Sequence, residues 1–318
     1  MPETSFTRLT GCKVPVQSVP VAGITTVEFV AAVCNAGGLG MLSAVLAPAP
    51  AIAAMATGLR ELTEHPFGIN FLVPFLEGDY QAVELAADSA PVVEFFYAEP
   101  DRQLVDRVHQ GGALCSWQTG SVDEARQAAD IGCDFIIQQG VEAGGHVRGR
   151  SELLSILAET VQAVSVPVLA AGGIANGADV AAMLRQGAAG VRVGTRFVCS
   201  VEARAHAEYK QALVEAGAEQ TSYTEAFSVM WPNAPHRVLQ SSIEAMNACE
   251  DDYTGEWQIG GERMPIPRGS VIAPTDQTTG RIEAMALYAG HSVDRINSVE
   301  TVTGIMQELL SELDSNKS

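Results

Sequence analysis

A chain of 318 residues, 47% hydrophobic and 18% charged, has the balance of a folded globular protein and the length for a large core. Its 38 acidic against 19 basic side chains leave a formal charge of −19, a field that opposes binding to a phosphate backbone, so nucleic acid is not an expected partner. No uncharged apolar run is long enough to span a bilayer, and the opening MPETSFTRLTG lacks the basic-then-apolar order of a secretory signal, so no membrane association and a cytoplasmic location are expected. An anionic substrate stays compatible with the charge, because glycine loops and helix N-termini make locally positive pockets inside acidic proteins. Six cysteines are scattered without CxxC or Cys/His spacing, which supports neither a disulfide framework nor a metal site.

In chain order, a first strand over 14–17 leads into the loop Pro20-Val21-Ala22-Gly23. Thr25 or Thr26 then caps a helix whose apolar face, Val27, Val30, Ala31 and Val33, ends at Gly37-Gly38. The glycines Gly37, Gly38 and Gly40 lie between helix and strand, the reverse of the order a dinucleotide fingerprint requires, and the Rossmann reading is discarded. Further strands are expected over 39–43, 67–71, 92–96, 113–116, 135–137, 168–170 and 190–193. Helices are expected between them over 48–62, 80–88, 101–110, 122–131, 152–164 and 178–186. Trp117, Gln118 and Thr119 are read as the loop after the fifth strand, with Ser121 capping the next helix.

Eight short strands alternating with helices demand a parallel sheet covered on both faces, and eight units close a TIM (β/α)8 barrel. The chain exceeds the roughly 250 residues typical of that barrel. The surplus falls over 200–279, where the rhythm breaks into a helix over 203–216, an aromatic and proline-rich stretch from Ser222 to Asn233, and a helix over 238–248. The expected organisation is therefore a barrel over 1–199, an insertion over 200–279 at the catalytic face, and closing helices over 280–318. Helical repeats are read over 282–287 and 299–313, and a solvated tail over 314–318. A lid and an arm for a homodimer are the two readings of the insertion.

Chemistry is expected to begin where the sixth strand stops, in FIIQQGVEAGGHVRG (135–149). Gly144 and Gly145, without Cβ atoms, let the backbone approach a flat ligand, and His146 follows them. Thirty residues later VPVLAAGGIANG (166–177) and GAAGVRVGTRF (187–197) repeat one grammar: short apolar strand, glycines, helical turn. Two such loops in series form a phosphate-binding device, placed after strands seven and eight of a barrel.

Those three motifs, with NAGGLGML (35–42) and PFGINF (66–71) upstream, resemble the nitronate monooxygenases, once called 2-nitropropane dioxygenases, over nearly the whole chain. The resemblance implies an FMN-dependent barrel enzyme. It implies a phosphate held by Gly172, Gly173, Gly194 and Thr195, flanked by Ala171 and Val193. Ala22, Asn70 and Gln118 would border the flavin, as would Gln139, Gly144 and Gly145 beside a catalytic His146. The first loop, Ser18-Val19-Pro20-Val21, departs from the glutamine, proline and methionine often found there in relatives. Flavin-dependent enoyl-acyl-carrier-protein reductases share the barrel and many of these motifs.

A nitro group delocalises the carbanion formed beside it, so an imidazole of near-neutral pKa suffices as the base that removes that proton. The same imidazole can instead hold a substrate already ionised to the nitronate. The resemblance implies oxidation of nitronates or nitroalkanes with O2 to carbonyl compound and nitrite, or NAD(P)H-driven reduction of an enoyl thioester or quinone; from another class, the glycine loops also fit a flavin-free phosphate-binding isomerase or sensor. His65, His109, His206, His236 and His291 are the weaker histidine candidates.

Overall fold

The structure is a computed structural model describing residues 3–76, 78, 80–259 and 261–313; the tail read over 314–318 lies outside the described residues. Eight parallel strands form its centre, counted here in chain order as barrel strands one to eight: Val16–Ser18, Gly40–Ser43, Phe67–Leu72, Val92–Phe96, Leu114–Thr119, Phe135–Gln139, Val168–Ala171 and Gly190–Val193. Each pairs with the next, the eighth pairs with the first through Gln17 and Arg192, and a parallel bridge from Gln17 to Leu39 joins the first to the second. The closed TIM barrel expected from strand alternation is what forms.

Strand parity decides what each residue does. Inward-facing Met41, Val92, Ile137 and Leu169 form a lower apolar layer, plugged from below by a helix that sequence periodicity did not reveal, Ser5–Thr10. Thr4 and Thr7 cap that helix reciprocally, and Phe6 drives its ring edge-on into Phe135 at 5.5 Å between centroids. Two residues further up most of the strands the interior turns polar, with Gln17, Asn70, Glu94, Ser116 and Arg192 all buried. Outward-facing residues such as Val93, Phe95, Trp117 and Val191 pack under the helices, which is why these strands read as near-continuous apolar runs.

The fifth strand runs on through Trp117, Gln118 and Thr119, which therefore are not a loop. Trp117 is fully buried beneath the helices, its Nε1 donating to the Ala98 carbonyl at 3.1 Å, and parity turns Gln118 inward. Beyond residue 200 the chain is more β than expected. Helix Ala207–Glu215 is followed by strand Thr221–Thr224, antiparallel to His236–Leu239, which is antiparallel in turn to the two-residue strand Gly145–His146. Residues 238 and 239 are thus strand, not helix, because the buried run His236 to Leu239 exchanges ladder hydrogen bonds on both sides; the helix begins at Gln240 and ends at Ala248. A hairpin of Tyr253–Ile259 with Glu262–Pro267, edged by Thr278–Gly280, completes a second small sheet. The helix read over 282–287 is a single 3-10 turn, Ile282–Ala284, and the last helix is Val302–Leu310. No helix among the described residues is long and apolar enough to cross a membrane.

Candidate active site

Above the polar layer, at the C-terminal ends of the strands, the barrel opens into a cavity of about 590 Å³. It gathers Ala22, Asn70, Gln118, Gln139, Gly144, Gly145, His146, Ala171, Gly172, Gly173, Gly194 and Thr195, residues spread over 174 positions of the chain. Val193 is not brought there: parity on the eighth strand turns it outward against the helix layer, and only its carbonyl is used, accepting from Val19 N–H at 2.9 Å.

The two glycine loops have the backbone geometry an anion needs. Gly172 and Gly173 follow the seventh strand at φ 122° and 70°, conformations that side chains disfavour. Among the described residues, the N–H groups of Gly173, Gly194 and Thr195 have no protein acceptor. The Thr195 hydroxyl accepts from Gly290 N–H at 3.1 Å, leaving its own proton to donate. Arg295 holds the first loop in place, donating to the Gly173 carbonyl at 2.5 Å and to Asp179 at 3.0 Å. Asp179 also accepts from Ala175 and Asn176, so its carboxylate fastens the turn to helix Gly177–Arg185.

At the floor lies a charge pair that sequence reading missed. Glu94, fully buried on the fourth strand, accepts from Arg192 Nη1 at 2.5 Å, from Asn70 Nδ2 at 2.9 Å and from Gln17 Nε2 at 3.0 Å. Arg192 faces the cavity and its Nε is buried without a partner. A lone charge within each of the strand texts VVEFF and GVRV, opposite in sign, was the available signal.

His146 is held from both sides. Gln139 donates from Nε2 to the His146 carbonyl at 3.0 Å and accepts from Arg148 N–H at 3.3 Å, so the amide spans the loop. Arg148 anchors the far end on Glu124 and Glu99, each at 2.6 Å. Behind the loop, Gly144 and Gly290 cross so closely that a Cβ on Gly144 would stand 2.5 Å from Gly290 N, which explains a glycine at each point.

The imidazole sits in an aromatic cage. Trp231 stacks on it with centroids 4.0 Å apart, while His236, Tyr288 and Tyr97 stand 5.3, 5.6 and 5.8 Å away. Burial, with a smaller contribution from His236, pushes its pKa down to about 3, and Nε2 is buried without a hydrogen-bond partner. At neutral pH this ring is an uncharged imidazole and a weaker proton acceptor than the near-neutral base that was one of its two roles expected from sequence. His236, one of the weaker candidates on sequence, is fully buried in the cage; its Nδ1 faces the Ala234 carbonyl at 2.9 Å and its Nε2 accepts from Phe227 N–H at 3.3 Å. Nothing local in sequence marks His236 or Tyr288, which reach His146 only through the tertiary fold.

Comparison with known proteins fits this arrangement. A family model described as nitronate monooxygenase matches residues 3–79 and 75–312. A dehydrogenase of Mycobacterium tuberculosis acting, by its name, on a 5-hydroxy-7a-methyl-1-oxo-octahydro-1H-indene-4-carboxyl-CoA is 34% identical over 76% of this chain and 67% of its own. Among solved structures, FabK from Thermotoga maritima superposes with a TM-score of 0.80 at 26% identity, covering 99% of this chain and 97% of that one. A nitroalkane oxidase from Streptomyces ansochromogenes gives 0.78 at 28% identity over 98% of both chains. The flavin-free isomerase or sensor is thereby set aside: the chain belongs to the nitronate monooxygenase family of flavin-dependent oxidoreductases.

Proposed function

We propose that the protein is an FMN-dependent nitronate monooxygenase that takes preformed alkyl nitronates and, with dioxygen, yields a carbonyl compound and nitrite. The observation that carries the choice of nitronate over nitroalkane is His146. Its depressed pKa makes it a poor proton acceptor for a neutral nitroalkane but a competent neutral hydrogen-bonding group for an anion already formed.

The residues present suit FMN. The terminal phosphate would be held by the unpaired N–H groups of Gly173, Gly194 and Thr195 and by the Thr195 hydroxyl, with Gly172 and Ala171 beneath. Ala22, Asn70, Gln118, Gly144 and Gly145 would border the remainder, and Gln139 would act by positioning the His146 loop. Bound there, the flavin supplies the two-electron chemistry with substrate and O2. The protein orients the nitronate against Trp231 and His146, and the wall contributed by residues 230–231 and 271–273 excludes water from it. We assign the 200–279 segment this lid role, in a cytoplasmic enzyme that has no nucleic-acid or membrane partner.

A second reading, NAD(P)H-driven reduction or dehydrogenation on the same cofactor, is favoured by the 34% identity to the carboxyl-CoA dehydrogenase. Anaerobic mixing of the purified holoenzyme separates them. Bleaching of the flavin by an alkyl nitronate but not by NADH or NADPH, with nitrite released on admitting air, supports the first; bleaching by the nicotinamides alone overturns it.

A further inference from the structure

We propose that Arg192, held by Glu94, sets the reduction potential of the cofactor: its guanidinium raises that potential by favouring the negative charge a flavin gains when it accepts an electron pair. The inference rests on a flavin in the cavity, and not on which substrate reduces it.

The pair stands on end at the cavity floor. Arg192 lines the cavity with its side chain 5% exposed, whereas Glu94, at 0%, lies beneath and takes no part in the lining. The two charges are also unequally quenched. The carboxylate accepts from three donors, Arg192 Nη1 and Asn70 Nδ2 on Oε1 and Gln17 Nε2 on Oε2. The guanidinium gives Glu94 a single hydrogen bond, and its Nε finds no acceptor among the described residues. No other permanently charged side chain lines the cavity among the described residues, so the field at the floor is set by the upper, positive pole of this pair.

Stability does not call for charge at this place. The layer below is closed by Val92, Ile137 and Leu169, the outward neighbours Val93, Phe95 and Val191 pack under the helices, and a buried ion pair can usually be replaced by apolar side chains without loss. What the pair adds is a fixed cation against the ligand. A flavin that takes two electrons with one proton gains one negative charge, and charge beside the ring is one of the levers a protein has on its electronics. Across an interior of effective dielectric about 20, a unit charge within about 12 Å moves such an equilibrium roughly tenfold or more. Arg192, being part of the wall, lies in that range of a ligand filling the cavity.

The test is the two-electron reduction potential of the FMN-loaded protein at pH 8, measured by anaerobic dithionite titration beside a reference dye, with FMN affinity followed by ultrafiltration. Arg192→Gln is expected to lower the potential by about 30 mV or more, a tenfold shift in the reduction equilibrium. Glu94→Gln is expected to raise it by a similar amount, and Arg192→Lys, which keeps the charge, to stay within about threefold of the parent equilibrium. Opposite signs are the signature, because loosened packing alone would move both glutamine variants the same way. The double variant Glu94→Gln, Arg192→Gln should fall between Arg192→Gln and the parent, and its position below Arg192→Lys decides the matter where a single variant does not fold. Shifts of one sign in both glutamine variants, or no shift in any variant, overturn the proposal. Weakened FMN binding at an unmoved potential also overturns it, since the charge would then serve the phosphate. Protein that binds no flavin overturns this inference together with the functional reading, whereas shifted potentials with no nitronate oxidised overturn the functional reading alone.

Discussion

The indole of Trp231 lies on the imidazole of His146 at 4.0 Å between centroids and 29° between planes, joining the insertion to the loop of the sixth barrel strand. The two residues are 85 positions apart, and the strand pairing of His236 with His146 brings their segments together. The stack fixes the ring's orientation and, by excluding water, sustains its low pKa.

Removing that cover should therefore be visible at His146 itself. In Trp231→Ala the His146 resonance followed by NMR should titrate at a higher pH than in the parent, towards the ordinary 6.5, with kcat/KM on a nitronate falling roughly two- to tenfold from loss of the aromatic contact. Trp231→Phe should restore most of both. An unchanged His146 titration in the alanine variant would show that burial by the other cage members suffices.

Glu94 and Arg192 form a buried pair, and breaking one side should cost more than removing both. Glu94→Gln leaves an uncompensated guanidinium and is expected to lower stability by about 3–5 kcal/mol. The double variant Glu94→Gln, Arg192→Gln should recover much of that. Denaturant titrations of the four proteins supply the cycle; additive losses would mean that the two side chains are energetically independent despite the 2.5 Å contact.

How far the sequence revealed this architecture follows from what kind of signal each part carries. The barrel was legible because Val92–Phe96 or Val168–Ala171, buried on both faces, must read as short apolar runs, and their alternation with helices repeats eight times. The glycine loops were legible because the positive φ of Gly172 and Gly173 leaves few other residues possible. The cage around His146 was not: Trp231, His236 and Tyr288 come from segments whose register is set by packing against one another. Strand parity was the recoverable part, since counting in twos from Val191 already turns Val193 outward and Arg192 inward.

Gly173 offers a direct check on the cofactor site. A Cβ there would meet Glu142 Cβ at an ordinary 3.5 Å, so space is available, but φ is 70° and a β-branched residue resists it. Gly173→Val is expected to rotate its N–H out of position and weaken FMN binding at least tenfold, by ultrafiltration of the yellow cofactor, with the far-ultraviolet spectrum unchanged. Undiminished affinity would remove this loop from the phosphate site.

Acid sensitivity should carry the mark of the buried imidazole. With a folded pKa of about 3 against an ordinary 6.5, the unfolded chain binds the extra proton first, so His146 contributes a loss of stability that begins as pH falls below about 6.5 and grows until about 3. His236, also lowered by burial, acts in the same direction. His146→Asn should flatten the acid limb of a stability-against-pH profile in that window and leave the limb above pH 7 unchanged. A parallel profile in the variant would place the acid loss elsewhere.

The role of His146 in turnover can be read from which form of substrate suffers. A base in service would make His146→Asn lose about a hundred- to ten-thousandfold on neutral nitroalkanes, the usual cost of removing general-base catalysis, and far less on preformed nitronates. The low pKa of the parent ring predicts otherwise. Parent activity on neutral nitroalkane should be no greater than the rate at which it ionises in solution. On nitronate the variant should lose roughly ten- to a hundredfold, the value of one hydrogen bond to a charged group. Stopped-flow flavin reduction under anaerobic conditions, with each form mixed before the two interconvert, measures both. A parent enzyme that reduces its flavin with fresh nitroalkane faster than solution ionisation allows, and loses that ability in His146→Asn, would restore the histidine as the base and require the bound cofactor or substrate to raise its pKa by several units.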